Sequence, residues 1–587
     1  MKRTWPLLIV ALAAVAAAFS VGVTDGHIAF DDWGYTLGCP FVRDGLSRAN
    51  VLTALREMTY GAIWMPVTFV SYMADVSLFG GGWRVHHAVN VACHLVNVAL
   101  VFFFLRRMLH VLGEAEGRPT VLACIGATLV WALHPMRAEA VTYVASRKEE
   151  LWTLFSLVGL LAYDRFLCKG GWRPYALAAA GFVLAAMSKP TAMAFPFLAA
   201  AVQFAVRRER RVSCLWLMPF LAGAVALGGL TLCSQAGGSS ADEVVGLYSS
   251  GFGWCCLNAA VSTGLYFWYT LVPFGIHMDY RAVFDGWPVN GALGLGALAA
   301  TAAVAGLAVR RGDARTRRLV LTAGALFLFS LAPTLGVFGY VNGDQAMADR
   351  YAYFPHLALA LLLAAGLARG LSRGGRTRCA VLAALVAALA MEVAVLVPVE
   401  RSFESDAAFS ARVLAYDPEH WRALRLQGNE LCARQNRMDE GVAMLRKSLW
   451  LHSSQRTAES LAYVLAVRGR AEDAAEVRRL CAAVAASPSR DKTGMMLDAL
   501  GFVGMKAGDY GQAAHYFEAA LHAPQRQHAP DQTCLRLGQC LARLGRVGDA
   551  RHYLSRAAQS RDEDVAFHAR VALRSLQRHL SCGRVDR

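Results

Sequence analysis

Long apolar runs dominate the first two thirds of the chain and alternate with short polar connections. Most runs extend over about 17–23 residues, the length at which an α-helix crosses the hydrocarbon core of a bilayer. The pattern predicts an all-α fold with a polytopic membrane domain over residues 1–399. Eleven crossings are predicted, centred on residues 6–23, 88–105, 119–133, 150–166, 174–188, 189–206, 212–233, 291–309, 319–337, 353–369 and 379–398.

Clusters of Lys and Arg between these runs predict the orientation of the membrane domain. Cytoplasmic loops carry an excess of basic residues, so the five basic connections are expected on the cytoplasmic side: 106–118, 165–173, 207–211, 310–318 and 369–378. All five share that side if the apolar stretch 252–273 is a re-entrant or surface helix rather than a further crossing. The first run is interpreted as a retained helix, not a cleaved signal peptide. A long first loop, residues 24–87, then lies on the non-cytoplasmic side together with residues 400–587.

The segment 400–587 has a different character, since its charged residues are about twice as frequent as in the preceding part. Its apolar positions follow helical spacing, with turns at 436, 469, 508 and 545. Tetratricopeptide repeats have a period of about 34 residues and a similar placement of small residues. We therefore predict a TPR-like α-solenoid that offers a concave surface to a protein or peptide acceptor. A spacer or a dimerisation module is the alternative.

Composition excludes several classes of protein. Of the 587 residues, 56% are hydrophobic and 17% are charged, which is incompatible with a small soluble enzyme or a disordered scaffold. The net charge of +16 resides largely in the loops between apolar runs, so it indicates topology, and no nucleic-acid partner is expected. The 14 Cys form no CxxC pair and no zinc-like spacing with His.

Polar residues in the predicted non-cytoplasmic loops are the candidates for chemistry. Asp31 and Asp32 follow the first crossing, where paired carboxylates act as a general base or hold a cation against a phosphate. The alternative is an Asx turn or a helix cap. His134 and Glu139 begin a polar cluster that continues to Arg147, and they bind either a negative partner or one another.

Three further groups share this predicted side. Lys189 stands between two crossings with almost no loop, where it either contacts a phosphate or snorkels. Asp279 and Tyr280, with Asp285 and Trp287, form either a sugar-stacking platform or part of the interfacial aromatic belt. Arg350 suits bidentate phosphate binding, and Tyr351 and Tyr353 flank it.

A stripe of His and Asn with helical spacing marks the second crossing, at residues 86, 87, 90, 94 and 97. Hydrogen bonding between helices is the expected role of such side chains in a membrane. A metal site formed by His87, Asn90 and His94 is the alternative.

The order of these short motifs along the chain resembles the transmembrane and tetratricopeptide-repeat-containing proteins. That family belongs with the protein O-mannosyltransferase-like members of the GT-C glycosyltransferases. The resemblance rests on Phe30-Asp31-Asp32, Met65-Pro66-Val67-Thr68, His134-Pro135 to Glu139, Arg147-Lys148-Glu149, Ser188-Lys189-Pro190 and Asp349-Arg350-Tyr351-Ala352-Tyr353. One departure is Asp349, where the family pattern has Glu.

The resemblance implies inverting transfer of a sugar from a polyprenyl-phosphate donor to an acceptor, favouring a protein Ser or Thr hydroxyl. Asp32 would be the catalytic base, with Asp31 as second choice or helper. Three cations would bind the donor phosphate, and six residues would line the substrate site: Arg147, Lys189 and Arg350 for the phosphate; His134, Glu139, Asp279, Tyr280, Tyr351 and Tyr353 for the substrate. No cofactor is required, and a divalent cation is not expected although the paired carboxylates would accept one.

Two other functions compete with transfer. A non-catalytic scaffold would use the repeats to recruit partners, but an anchor needs one crossing rather than eleven. A flippase or transporter of lipid-linked sugars would carry charges at mid-membrane depth and often an internal duplication. The Ala- and Arg-rich composition favours a bacterial inner membrane with periplasmic repeats; in a eukaryote the equivalent is the endoplasmic reticulum with lumenal repeats.

Overall fold

The computed structural model describes residues 4–28, 31–57, 63–206, 213–237, 251–281, 288–337, 345–433, 437–485, 494–523, 530–560 and 562–582. The basic connection 207–211, the residues Phe30, Asp285 and Trp287, and the turn at 436 lie outside these ranges. The chain divides into two compact units, Met1–Arg412 and Val413–Arg587. Each unit is described by itself below.

The first unit is almost entirely helical, as the apolar pattern predicts. Its helices are α1 Thr4–Phe19, α2 Asp32–Tyr35, α3 Pro40–Arg43, α4 Arg48–Arg56, α5 Pro66–Phe79, α6 Trp83–Val111, α7 Arg118–Leu133, α8 Arg137–Val141, α9 Arg147–Lys169, α10 Trp172–Ser188, α11 Phe195–Val206, α12 Met218–Gly237, α13 Phe252–Leu271, α14 Pro288–Arg311, α15 Ala314–Leu331, α16 His356–Ser372 and α17 Gly375–Arg401. The next helix, α18 Asp406–Tyr416, contains the division between the units.

Six helices in the described ranges are long and apolar enough to cross a membrane. They are Trp5–Gly22, Trp83–Val111, Val144–Lys169, Cys214–Ser234, Val289–Arg311 and Gly375–Arg401. These six coincide with six of the eleven predicted crossings, and the protein is an all-α membrane protein. The stretch 252–273 forms a helix, α13, which packs against α14 and is not among the six.

The long first loop is itself folded. Residues 24–87 contain α2 to α5 and the first turns of α6, so the segment between α1 and the body of α6 is a helical layer. A short antiparallel ribbon pairs β1 Tyr280–Arg281 with β2 Gln345–Met347. It joins two connections that are distant in sequence and leads directly into a 3-10 helix, Asp349–Ala352.

Glycines allow two pairs of long helices to approach closely. A Cβ at Gly181 of α10 would lie 2.8 Å from the Gly159 Cα of α9. A Cβ at Gly264 of α13 would overlap the Gly294 carbonyl oxygen of α14. Small residues permit this close backbone approach, and the resulting van der Waals packing is one of the forces that hold helices together in lipid. The α9–α10 contact fixes the two helices whose ends carry Glu149 and Lys189.

Three of the predicted basic connections meet at one end of the unit. Glu114 accepts from Arg315 and pairs with Arg369 at 3.4 Å, and Arg106 lies 3.9 Å from Glu116. The acidic residues of the α6–α7 connection therefore hold the α14–α15 and α16–α17 connections beside it. These contacts place the three connections at the same end of the unit.

The second unit is a series of helices joined by short turns. They are α19 Trp421–Ala433, α20 Met438–Leu451, α21 Gln455–Arg468, α22 Asp473–Ala485, α23 Gly494–Lys506, α24 Tyr510–His522, α25 Pro530–Arg543, α26 Val547–Ala557 and α27 Glu563–Cys582. Consecutive helices pack in pairs, beginning with α19 on α20. The predicted turns at Gly469, Gly508 and Gly545 all have positive φ, between 69° and 79°, a conformation that Gly adopts without a steric cost.

Candidate active site

Asp32 is the first residue of α2, and its carboxyl group is buried. One oxygen accepts a hydrogen bond from the Ala145 backbone N–H at 2.7 Å and the other from the Ile28 N–H at 3.0 Å. The side chain therefore ties the end of the α1–α2 connection to the segment that precedes α9. Burial raises the pKa of Asp32 to about 8, against the two backbone hydrogen bonds that lower it.

Asp31 stands beside it but is half-buried rather than enclosed. Its backbone N–H donates to the Tyr143 hydroxyl at 3.1 Å. Of the two carboxylates, Asp31 retains access to a ligand, whereas both oxygens of Asp32 are engaged with the backbone. The resemblance in sequence implies the opposite order, with Asp32 as the base and Asp31 as second choice or helper.

Lys189 and Arg350 each form a buried ion pair with a glutamate. The Lys189 ammonium donates to Glu149 Oε1, and the Arg350 guanidinium donates to Glu139 Oε1. The Arg350 backbone N–H also donates to Glu139 Oε2 at 2.8 Å. Burial raises the pKa of Glu139, while the adjacent Arg350 opposes that shift.

Tyr351 joins these two pairs into one cluster. Its ring lies beneath both cations, with centroid distances of 4.6 Å to Lys189 Nζ and 4.9 Å to Arg350 Cζ. Segments from four parts of the chain thus meet here: α8, the start of α9, the α10–α11 junction and the 3-10 helix before α16. Lys189, Arg350, Glu139 and Tyr351 were all predicted site residues, and the structure brings them together.

Lys148 belongs to the same cluster, although sequence reasoning passed over it in favour of Arg147. Electrostatic interactions link Lys148 to Asp31, Arg350, Lys189 and Glu149. Its ammonium lies 4.4 Å from the centroid of the Tyr35 ring. The signal in the sequence was the adjacent basic pair Arg147-Lys148, which gives no information on which member faces the cluster.

Arg147 instead belongs to a separate, closed network. Its guanidinium donates to Asn90 Oδ1 at 2.7 Å and to the His86 carbonyl at 2.9 Å, and it pairs with Asp75 at 2.7 Å. It also lies 4.4 Å from the Tyr72 ring centroid. These contacts join α5, α6 and α9, and they occupy the guanidinium within the helix packing.

Asp279 and Tyr280 approach the cluster through the ribbon. The Tyr280 hydroxyl donates to Asp349 Oδ1 at 3.0 Å, and Asp279 interacts electrostatically with Glu139. Burial, together with the nearby Glu139, raises the pKa of Asp349 well above its usual range. Asp349 therefore links the ribbon to the 3-10 helix through its hydrogen bond from Tyr280.

His134 and Tyr353 are buried and held by protein contacts. The ring of His134 packs edge-on against His356 with centroids 5.5 Å apart, and burial lowers its pKa to about 3. The Tyr353 hydroxyl bonds His94 Nδ1 at 2.7 Å and accepts from Asn97 Nδ2 at 3.2 Å. Because His94 Nε2 faces the Ala132 carbonyl at 3.2 Å, it carries the proton, and Tyr353 donates to Nδ1.

The polar stripe on α6 forms these interhelical hydrogen bonds. Besides the contacts of His94 and Asn97, Asn90 donates to the Val141 carbonyl at 3.1 Å. Among the residues that the structure describes, His, Cys, Asp and Glu form no group of three with the geometry to hold a metal ion.

Known proteins offer a limited similarity. No family model matches the chain. A protein O-mannosyl-transferase of Caenorhabditis elegans is 30% identical to it over 100 residues. Those residues are 17% of this chain and 14% of that protein, so the match spans a small part of both. The similarity supports a glycosyltransferase-like relationship.

Proposed function

We propose that this protein is a membrane glycosyltransferase of the GT-C type that uses a polyprenyl-phosphate-linked sugar. The observation that carries the proposal is the buried cluster in which Lys189 and Arg350 pair with glutamates over the Tyr351 ring. Lys148 links this cluster electrostatically to the half-buried Asp31. An accessible carboxylate beside several cations suits a reaction that needs a base and a stabilised phosphate leaving group. The partial similarity to a protein O-mannosyl-transferase is in keeping with this chemistry.

In this mechanism Asp31 takes the proton of an acceptor hydroxyl as its oxygen attacks the anomeric carbon. The bond from that carbon to the phosphate oxygen breaks, and polyprenyl phosphate leaves with the bonding electrons. Asp31 is preferred to Asp32 as the base because it is half-buried, whereas backbone hydrogen bonds enclose Asp32. Asp32 then acts as a positioning residue that fixes the backbone next to Asp31.

Lys189 and Arg350 are proposed to face the phosphate. Their pairing with Glu149 and Glu139 holds both cations in place before the donor arrives. A phosphate oxygen can share each cation with its glutamate, since Lys and Arg present several N–H donors. Arg147 is removed from the phosphate site, because its donors are committed to the α5–α6–α9 network.

The acceptor and the compartment are proposed on general grounds. The paired helices of the second unit are suited to bind an extended protein segment, which favours a protein Ser or Thr hydroxyl as acceptor. In the predicted topology the cluster and these helices share the non-cytoplasmic side. A bacterial inner membrane facing the periplasm fits this arrangement.

The test is transfer from a panel of polyprenyl-phosphate sugars by the purified full-length protein, with exported proteins as acceptors. Asp31→Asn should abolish turnover while the protein keeps its yield and melting temperature. Asp44→Asn is the matched control, since Asp44 is exposed and belongs to the same layer. Full turnover by Asp31→Asn would refute the role of Asp31, and no turnover by the wild type with any donor would refute the proposed function.

A further inference from the structure

The cations of the cluster differ in how their charge is compensated. Lys189 and Arg350 face Glu149 and Glu139 within ion-pair distance. Arg147, in the neighbouring network, faces Asp75 in the same way. Among the residues that the structure describes, no carboxylate oxygen lies within 4.0 Å of the Lys148 ammonium nitrogen. Lys148 is nevertheless buried, with 6% of its surface exposed.

Such a position is unfavourable for an ammonium group in the absence of an anion. A buried charge that lacks a partner costs several kcal/mol by the usual balance of desolvation and attraction. Lys148 is also the second residue of α9, where the helix dipole presents its positive end. The Tyr35 ring compensates only part of this cost, because a cation–π contact contributes about 0.5–2 kcal/mol.

The charges around Lys148 indicate where an anion that neutralises it would bind. Its interactions with Asp31 and Glu149 are attractive, and those with Lys189 and Arg350 are repulsive. An anion bound among these three cations would replace that repulsion with attraction to all of them. Since Lys189 and Arg350 already have glutamate partners, Lys148 contributes the uncompensated positive charge.

We propose that Lys148 is the principal phosphate-binding cation of the site and that it stabilises the negative charge that develops on the leaving polyprenyl phosphate. The inference rests on the proposed function. During transfer Asp31 gains a proton and becomes neutral, while the phosphodiester of the donor becomes a monoester with one further negative charge. Before the transfer Lys148 faces ionised Asp31 and the singly charged phosphodiester; after it Asp31 is neutral and Lys148 faces the phosphate monoester with its additional charge, so the total charge around Lys148 is unchanged.

The experiment measures binding of polyprenyl phosphate, the product, to the full-length protein in phosphatidylcholine nanodiscs. Lys148→Gln should weaken this binding at least tenfold. Lys148→Met, which keeps the aliphatic stem over Tyr35, should do the same and replaces the Gln variant if that fails to fold. Lys169→Gln is the matched control, because Lys169 is the exposed last residue of the same helix.

Two further probes separate the phosphate from the lipid chain. Polyprenol without phosphate should bind the wild type and Lys148→Gln equally. Inorganic phosphate should displace polyprenyl phosphate from the wild type. Displacement by polyprenol but not by inorganic phosphate would show that the chain, not the phosphate, is recognised and would overturn the proposal.

The outcomes distinguish the two hypotheses. Equal affinity of the wild type and both Lys148 variants for polyprenyl phosphate would overturn the role of Lys148 and leave the proposed function intact. If the Lys148 variants lose turnover but keep their affinity for polyprenyl phosphate, Lys148 acts on Asp31 rather than on the phosphate. That result would also overturn the proposal. Absence of binding by the wild type would count against the proposed function itself.

Discussion

Removing one member of the Lys189–Glu149 ion pair should destabilise the first unit more than removing both. Each side chain is 2% exposed, so the charge that remains after a single substitution cannot reach water. Loss of one partner of a buried pair costs about 3–5 kcal/mol, whereas replacing both by neutral groups is often close to neutral. We expect Lys189→Met to lower the free energy of unfolding by an amount in that range.

The double variant Lys189→Met/Glu149→Gln should recover most of the loss. Glutamine at position 149 retains an oxygen for the Trp152 indole N–H, which donates to Glu149 at 3.0 Å in the wild type. The coupling energy from a double-mutant cycle is therefore expected at about 2–4 kcal/mol. Denaturant titration of the full-length protein in detergent, followed by circular dichroism, supplies the four free energies of unfolding.

An exposed ion pair provides the control. Arg437 and Glu440 are 52% and 58% exposed and lie three residues apart at the start of α20. Their cycle should give a coupling energy below about 1 kcal/mol. A coupling energy below about 0.5 kcal/mol for Lys189 and Glu149 would refute the reasoning, because the pair would then be screened like the exposed one.

Three more predictions follow from the same structure. Because burial raises the pKa of Asp32 from 3.8 to about 8, the folded protein keeps the Asp32 proton up to a higher pH than the unfolded chain does. The wild type should therefore lose stability relative to Asp32→Asn as the pH rises from about 4 to about 8; a constant difference in unfolding free energy would contradict this. Gly264→Ala should lower the free energy of unfolding by about 1–3 kcal/mol through overlap with Gly294, whereas Gly253→Ala, on the same helix in open space, should not lower it. Tyr353→Phe should lower the free energy of unfolding by about 1–3 kcal/mol through its lost hydrogen bonds and leave the KM for the donor unchanged. A raised KM at unchanged stability would instead show that Tyr353 contacts the substrate.

The helices of the membrane domain were predictable because the length of an apolar run can be read directly from the local sequence. Runs long enough to cross a bilayer predict helices directly, and each of the six described helices that are long and apolar enough to cross a membrane overlaps a predicted crossing. The turns at Gly469, Gly508 and Gly545 were also predictable, since only the local backbone conformation matters there. Residues 24–87 were harder to predict, because their short helices are stabilised by packing rather than by their own propensity.

The sequence predicts most residues of the candidate site. It does not show which of two adjacent residues faces the site and which one packs elsewhere. Asp31 and Asp32 are identical residues in adjacent positions, and only the fold determines which one receives two backbone N–H groups. Arg147 and Lys148 differ by about 100° around the axis of α9, so one faces the α5–α6 packing and the other the cluster. Tyr351 and Tyr353 are separated in the same way by the 3-10 helix that precedes α16.

The cluster also determines when the site can form as the chain folds. Asp31 lies shortly after the first helix, whereas Arg350 and Tyr351 lie shortly before α16. Contacts between residues so far apart in sequence are entropically expensive to close and therefore form late. A nascent chain that has inserted its early helices holds Asp31 and Lys148 without Arg350 and Tyr351. The proposed donor site is thus complete only after α16 has docked, which couples the chemistry proposed for the site to completion of the whole helical assembly.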